Sequence, residues 1–158
     1  MAAQTKTNAI RLLENSALDF KVHEYDISDG EIDAQSIARK LGVSGDQVFK
    51  TLVAESPERE YFVFIVPAVG TLNLKKAART AGVKSIAMIK QKELLPLTGY
   101  IHGGCSPIGM KKLFPTFVDE TAILFEKIFV SGGKVGLNIE IAPEDLAGFV
   151  PAEFSDLT

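Results

Sequence analysis

Residues 49–66 read FKTLVAESPEREYFVFIV, and this stretch decides the fold class. Phe49 to Glu55 has the composition of a strand, Ser56-Pro57-Glu58-Arg59 interrupts it, and Tyr61 to Val66 is apolar without a break. Turn-forming residues between two such runs predict a strand, a tight connection and a returning strand. A strand with no polar alternation must be covered on both faces, so Tyr61 to Val66 is expected at the centre of its sheet. The covering layers then have to come from helices or a second sheet.

Working outward, the flanks supply both. Upstream, Thr7 or Asn8 can cap a helix with Ile10, Leu13 and Ala17 on one stripe. Phe20 and Val22 alternate with Lys21 and His23, which reads as a strand. Tyr25 shares parity with His23, so a regular strand aims it away from the Phe20 side. Ala34, Ile37, Ala38 and Leu41 have helical spacing, and Gly42 suits the helix end. Ser44 and Gln47 form a possible capping box for a short turn. Downstream, Asn73 can cap a helix carrying Leu74, Ala77, Ala78 and Ala81 up to Gly82. Val83 to Met88 predicts a strand, and Ile89 to Leu95 a short helix stopped near Pro96. Strands are expected at Tyr100 to His102, Pro115 to Asp119, Ile128 to Val130 and Leu137 to Ile141. Pro143 suits the first position of a last helix, Glu144 to Phe149. The expectation is an α/β fold of one domain, with a mixed, mostly antiparallel, barrel-like sheet flanked by helices. The domain runs over residues 9–158 behind a flexible N-terminal tail of residues 1–8.

Composition narrows the function classes. A chain of 158 residues with 46% hydrophobic content suits one core without a metal or disulfide staple. The single cysteine excludes an internal disulfide and a multi-cysteine zinc site. The net charge of −3 argues against a nucleic-acid-coating protein, so any RNA contact must be local or helped by a partner, and DNA is not an expected ligand. No run reaches the length of a membrane span and the first residues lack a signal-peptide core, so a cytoplasmic protein without membrane contact is expected. No metal and no cofactor are expected. Gly82 to Ser85 lacks the earlier glycine of a phosphate loop, and no H-E-x-x-H is present.

Four features remain as candidate chemistry. His102 and Cys105 are three residues apart and suggest a Cys–His nucleophile pair. A lone cysteine is more often a small buried hydrophobe, and that reading is preferred. Gly103-Gly104 and Gly132-Gly133 either let the backbone approach a ligand or simply make tight turns, and spacing does not separate the two. Lys50 sits inside an apolar strand, where it either snorkels to solvent or enters a polar pocket, and patterning alone favours solvent. Lys75-Lys76 and Lys111-Lys112 are read as solvated faces.

Three segments carry a resemblance: QVFKTL (residues 47–52), TGYIHGGCSPIGMKK (residues 98–112) and VSGGKVGLNIE (residues 130–140). In this order and spacing, the chain resembles the YbaK/EbsC family of bacterial aminoacyl-tRNA deacylases, related to the editing domain of prolyl-tRNA synthetase. The similarity runs from Ala9 to Phe154.

The resemblance implies a trans-acting deacylase for mischarged tRNA(Pro), above all Cys-tRNA(Pro). It implies that the attached cysteine's own thiol attacks its ester carbonyl and expels the tRNA 3′ end. The partners it implies are the tRNA acceptor end and prolyl-tRNA synthetase. The family's pocket lysine falls on Lys50 and its glycine near the scissile ester on Gly103, which makes these the expected catalytic positions. Tyr25, Thr51, His102, Gly104, Ser131 and Asn138 are the expected substrate-binding positions. Asn138 stands where a known family form has aspartate, Val135 where it has a basic residue, and His102 where it has an aliphatic one. Asp33-Ala34 also replaces an aromatic-glycine pair. These differences bear on which amino acid is removed. Alternatives are a deacylase for alanine or serine, and a non-catalytic module that binds an aminoacyl or nucleotide end.

Overall fold

A computed structural model describes residues 6–158. The sequence places five helices and eight strands in this order among the described residues: α1 (Asn8–Glu14), β1 (Phe20–Glu24), α2 (Ala34–Leu41), β2 (Phe49–Glu55), β3 (Tyr61–Pro67), α3 (Leu74–Ala81), β4 (Ala87–Met88), α4 (Gln91–Thr98), β5 (Thr116–Asp119), β6 (Ile128–Ser131), β7 (Leu137–Ile141), α5 (Pro143–Phe149) and β8 (Glu153–Ser155).

The hairpin β2–β3 is antiparallel in the register Phe49↔Pro67 to Glu55↔Tyr61. β3 is central as expected, with β2 on one side and β5, parallel, on the other. Its continuous apolar run is explained by two cores. Val63 and Ile65 pack with Val53, Ile139 and Ile141 on one face, while Phe62, Phe64 and Val66 pack with Ala77, Ala78 and Phe117 on the other. The five-stranded sheet has the order β4-β2-β3-β5-β8, and a three-stranded sheet has the order β1-β7-β6. Only the β3–β5 and β5–β8 pairings are parallel, so the fold is mixed and mostly antiparallel. The two sheets meet at a parallel bridge between Val48 and Phe129. They do not close on themselves, so the expected barrel is an open pair of sheets.

The helix ends follow local chemistry. Asp33 and Asn73 accept hydrogen bonds from the first-turn N–H groups of α2 and α3, and Gly42 and Gly82 end both helices at a φ of 74°. Ser44 caps a short turn as expected, but the Gln47 amide instead donates to the Lys127 carbonyl at 2.9 Å, across the fold. Thr7 caps α1 and its hydroxyl donates to the Gly132 carbonyl, so Thr7 and Asn8 belong to the folded body and not to the tail. Residues 1–5 of that tail lie outside the described residues.

Three local expectations yield to tertiary structure. Pro96 lies inside α4, because a two-turn helix packed through Leu94 tolerates one missing backbone bond. Strand β4 is only Ala87–Met88. Tyr100 to His102 is not a strand; the chain turns there, with the Gly104 N–H donating to the Ile101 carbonyl at 3.0 Å. No described helix is long and apolar enough to cross a membrane.

The segment after strand β8 is tied to a buried carboxylate. Asp119 is fully buried, and its carboxylate accepts from the Leu157 N–H at 2.9 Å and from the Thr121 N–H and hydroxyl. Replacing Asp119 by alanine strands these donors and is expected to cost about 3 kcal/mol. Thermal unfolding followed by circular dichroism should show a loss of roughly 6–12 °C in Tm. An unchanged Tm would mean the anchor contributes nothing.

Candidate functional site

A cavity of about 240 Å³ opens where the two sheets meet. Strand β2 contributes most of one wall. Its residues alternate between faces, yet Phe49, Lys50, Thr51 and Leu52 all line the cavity, which therefore reaches round both faces of the strand's first half. From the other sheet come Ser131 at the end of β6 and Asn138 on β7, opposite each other in register. Tyr25 closes one side, just past β1, where its N–H extends the ladder to the Gly136 carbonyl at 2.9 Å. The turn holding His102 and Gly103 forms the rim.

Lys50 is half-buried, and its ammonium donates to the Gly70 carbonyl at 2.8 Å. Burial pushes its pKa below the ordinary lysine value. It is the one lysine or arginine among the described lining residues, and no carboxylate is among them. The preference for a solvated Lys50, drawn from strand patterning, is therefore overturned: the strand's face borders a cavity and not open water.

Two polar atoms of lining residues have no partner among the described residues. Thr51 Oγ1 and Asn138 Oδ1 are both buried and unbonded among the described residues. A buried acceptor left unmade costs about 1–3 kcal/mol, so their survival on a cavity wall points to a ligand that completes them. Asn138 is 5% exposed.

The glycine loops have different jobs. Gly103 has a φ of 84°, which a side chain rarely adopts, and it presents its backbone to the cavity. Gly104, expected at the substrate, is absent from the wall. A Cβ there would lie 3.0 Å from the Lys134 Cα and the Val135 nitrogen. Its glycine is required for the two loops to approach each other. Ser131 Oγ accepts from the Gly133 N–H at 3.1 Å, which fixes the second loop's turn beside the cavity.

The Cys–His reading fails on burial. Cys105 reaches the wall but is only 6% exposed, and desolvation pushes its thiol up to about 12. A thiol held protonated is a poor nucleophile. His102 is exposed, and no hydrogen bond from a described residue orients its ring.

The structure thus gathers seven of the eight expected positions around one cavity: Lys50, Gly103, Tyr25, Thr51, His102, Ser131 and Asn138. What sequence reading missed is the apolar half. Ile32, Ala34 and Ile37 line it from α2 and the loop before it, and Ala68 and Leu94 from elsewhere. One signal was available: Ile32 is one of two isoleucines, with Ile27, in the otherwise polar run DISDGEID, and both stand 45% exposed.

The profile of the aminoacyl-tRNA editing domain matches residues 31–149. A protein of Enterococcus faecalis (strain ATCC 700802 / V583), EbsC, provisionally named a Cys-tRNA(Pro)/Cys-tRNA(Cys) deacylase, is 41% identical over 155 residues. That alignment covers 98% of this chain and 94% of EbsC. A crystal structure provisionally described as a trans-editing enzyme for prolyl tRNA synthetase superposes with a TM-score of 0.80 at 26% identity, over 88% of this chain and 86% of the other. The crystal structure of hypothetical protein APE2540 superposes with a TM-score of 0.87 at 22% identity, over 96% and 99% of the two chains, a likeness of fold.

Proposed function

The chain belongs to the family of aminoacyl-tRNA editing domains, and from that premise we propose that it works in trans as a deacylase of mischarged tRNA(Pro), with cysteine as the amino acid removed. The observation that carries this reading is the cavity's polar set. One half-buried ammonium, two unpaired buried polar atoms and a backbone turn at Gly103 converge on a wall without a carboxylate. Such a site is suited to hold and polarise an ester more than to activate water.

The chemistry is then supplied by the substrate. The cysteine thiol attacks its own ester carbonyl, a carbon–sulfur bond forms, and the bond to the ribose 3′ oxygen breaks. The thiol proton ends on that oxygen, freeing the tRNA, and water opens the cyclic thioester. Lys50 is assigned to the ester oxygen or the terminal phosphate, where a positioned cation stabilises developing charge. The Gly103 backbone holds the carbonyl. Tyr25, Thr51 and Asn138 turn the side chain back toward the ester, which gives the intramolecular attack its advantage. His102 lies at the entrance and Ser131 shapes the wall.

Purified protein incubated with tRNA(Pro) charged in turn with cysteine, alanine and serine tests the reading. Release of cysteine ahead of the other two is expected. Release of none, with the tRNA still bound, would make the protein a binding module. Cys105→Ala should retain deacylation within about twofold of the parent, because its buried thiol is protonated. A folded but inactive variant would restore the nucleophile reading.

The net charge of −3 implies low intrinsic affinity for RNA. Prolyl-tRNA synthetase is the partner proposed to deliver the tRNA, supported by the related trans-editing structure. Binding of bare tRNA should be weak and fall steeply with salt in a filter-binding titration. Tight binding that persists at high salt would contradict the need for a partner.

A further inference from the structure

The loop between β1 and α2 has no regular secondary structure, yet Tyr25 and Ile32, at its two ends, both line the candidate site. Its run DISDGEID offers two apolar side chains, Ile27 and Ile32, and each is 45% exposed. Side chains left so far in water bury too little apolar surface to fix where the loop lies. Its ends are held by hydrogen bonds. The Tyr25 N–H donates to the Gly136 carbonyl at 2.9 Å, and Asp33 caps α2. The stretch between them needs a support of its own.

Lys40 supplies it. This residue stands in the last turn of α2, and its side chain is only 15% exposed. Its ammonium donates to the Asp26 carbonyl at 2.6 Å, the Glu31 carbonyl at 2.8 Å and the Asp29 carboxylate at 2.9 Å. These bonds use all three donors of the group. Two of the acceptors are backbone carbonyls from opposite ends of residues 26–31. One cation therefore draws the loop closed and ties it to the helix whose Ala34 and Ile37 also line the site. The neighbouring Arg39 does something weaker. Its side chain is 65% exposed and reaches the Glu31 carboxylate at 2.9 Å, so it grips a side chain and not the backbone.

We propose that Lys40 is a positioning residue for the reaction: by clamping residues 26–31 it holds Tyr25 and Ile32 where they press the attached amino acid back toward its ester. The inference rests on the deacylase reading and adds to it a residue that is not itself on the cavity wall. An intramolecular attack depends on near-contact geometry, and a displacement of about 1 Å in the groups that enforce it can cost about 10²-fold in rate. The fold depends less on the same bonds. Asp26 and Glu31 are exposed residues, so water can replace the ammonium at their carbonyls when it is removed. The clamp thus governs placement more than stability.

Lys40→Met keeps the apolar stem and removes the three bonds. On Cys-tRNA(Pro) it is expected to lower kcat about tenfold and to leave KM within about twofold, because the tRNA itself is held elsewhere. The loss should pass through the wall. In a chain already carrying Ile32→Ala, the same substitution should lower kcat by no more than about threefold, a non-additivity that a general weakening of the fold would not produce. An unchanged kcat in Lys40→Met, or a tenfold loss that persists undiminished beside Ile32→Ala, would overturn the proposal. If Lys40→Met does not fold, Asp29→Ala removes one of the three bonds from an exposed position and should lower kcat about threefold. No loss there would equally overturn it. If the parent releases no amino acid, the deacylase reading fails, and nuclear magnetic resonance still decides the role of the lysine. Lys40→Met should then speed amide exchange across residues 26–31 and shift the Ile32 methyls while the amides of α3 stay protected. Unmoved methyls and unchanged exchange would end the assignment.

Discussion

Replacement of Lys50 by alanine is expected to lower deacylation by about 10²–10³-fold, the loss typical of one positioned donor at a developing oxyanion. The fold should survive. Lys50 contributes no apolar packing to the cores, and its one hydrogen bond is to the Gly70 carbonyl at the cavity's edge. Far-UV circular dichroism should be unchanged, and stability should change little, because a partly desolvated charge is removed together with its bond. Lys50→Arg is not expected to restore full activity, since a planar guanidinium does not replace a compact ammonium in a small cavity. The rate also carries a pH signature. Burial lowers the Lys50 pKa, so the ammonium is lost as pH rises, and at a lower pH than for an ordinary lysine. The basic limb of the rate profile should fall correspondingly early and disappear in the alanine variant. Near-parental rates in that variant would end the assignment.

Cysteine-charged tRNA(Pro) should be cleaved at least about 10²-fold faster than the alanine-charged form, a modest share of what intramolecular attack can supply. Alanine has no thiol and would need an activated water. Among the lining residues no carboxylate is available, the Cys105 thiol is held protonated, and Lys50 serves as the cation at the ester. His102 is the one group that could serve as a base, and it stands exposed with nothing to orient its ring. His102→Val should therefore leave the cysteine-to-alanine ratio intact. Comparable rates on both substrates, with the alanine rate alone collapsing in that variant, would show a water-based mechanism run by His102.

Much of the fold was legible because it is locally determined. Asp33 and Asn73 before α2 and α3, and Gly42 and Gly82 after them, act through bonds within one turn and through backbone chirality. The β2–β3 hairpin follows from two apolar runs and the break between them. Family membership was equally legible, since three motifs in order survive in the sequence. Local reasoning failed at Tyr100 to His102, whose strand-like side chains are bent by the Ile101–Gly104 turn, and at Pro96, which packing keeps helical.

What only the tertiary structure decided is where the informative side chains point. Periodicity put Lys50 in solvent, because a pattern within one strand says nothing of the cavity formed by the other sheet. Spacing left the glycine pairs undecided, and the close approach of Lys134 and Val135 separated Gly104, a packing residue, from Gly103, a wall residue. The orphaned atoms of Thr51 and Asn138 belong to residues 87 positions apart in the chain. A hydrogen bond left unmade is a property of all the neighbours at once, and neighbours so distant in sequence are fixed only when the sheets pack.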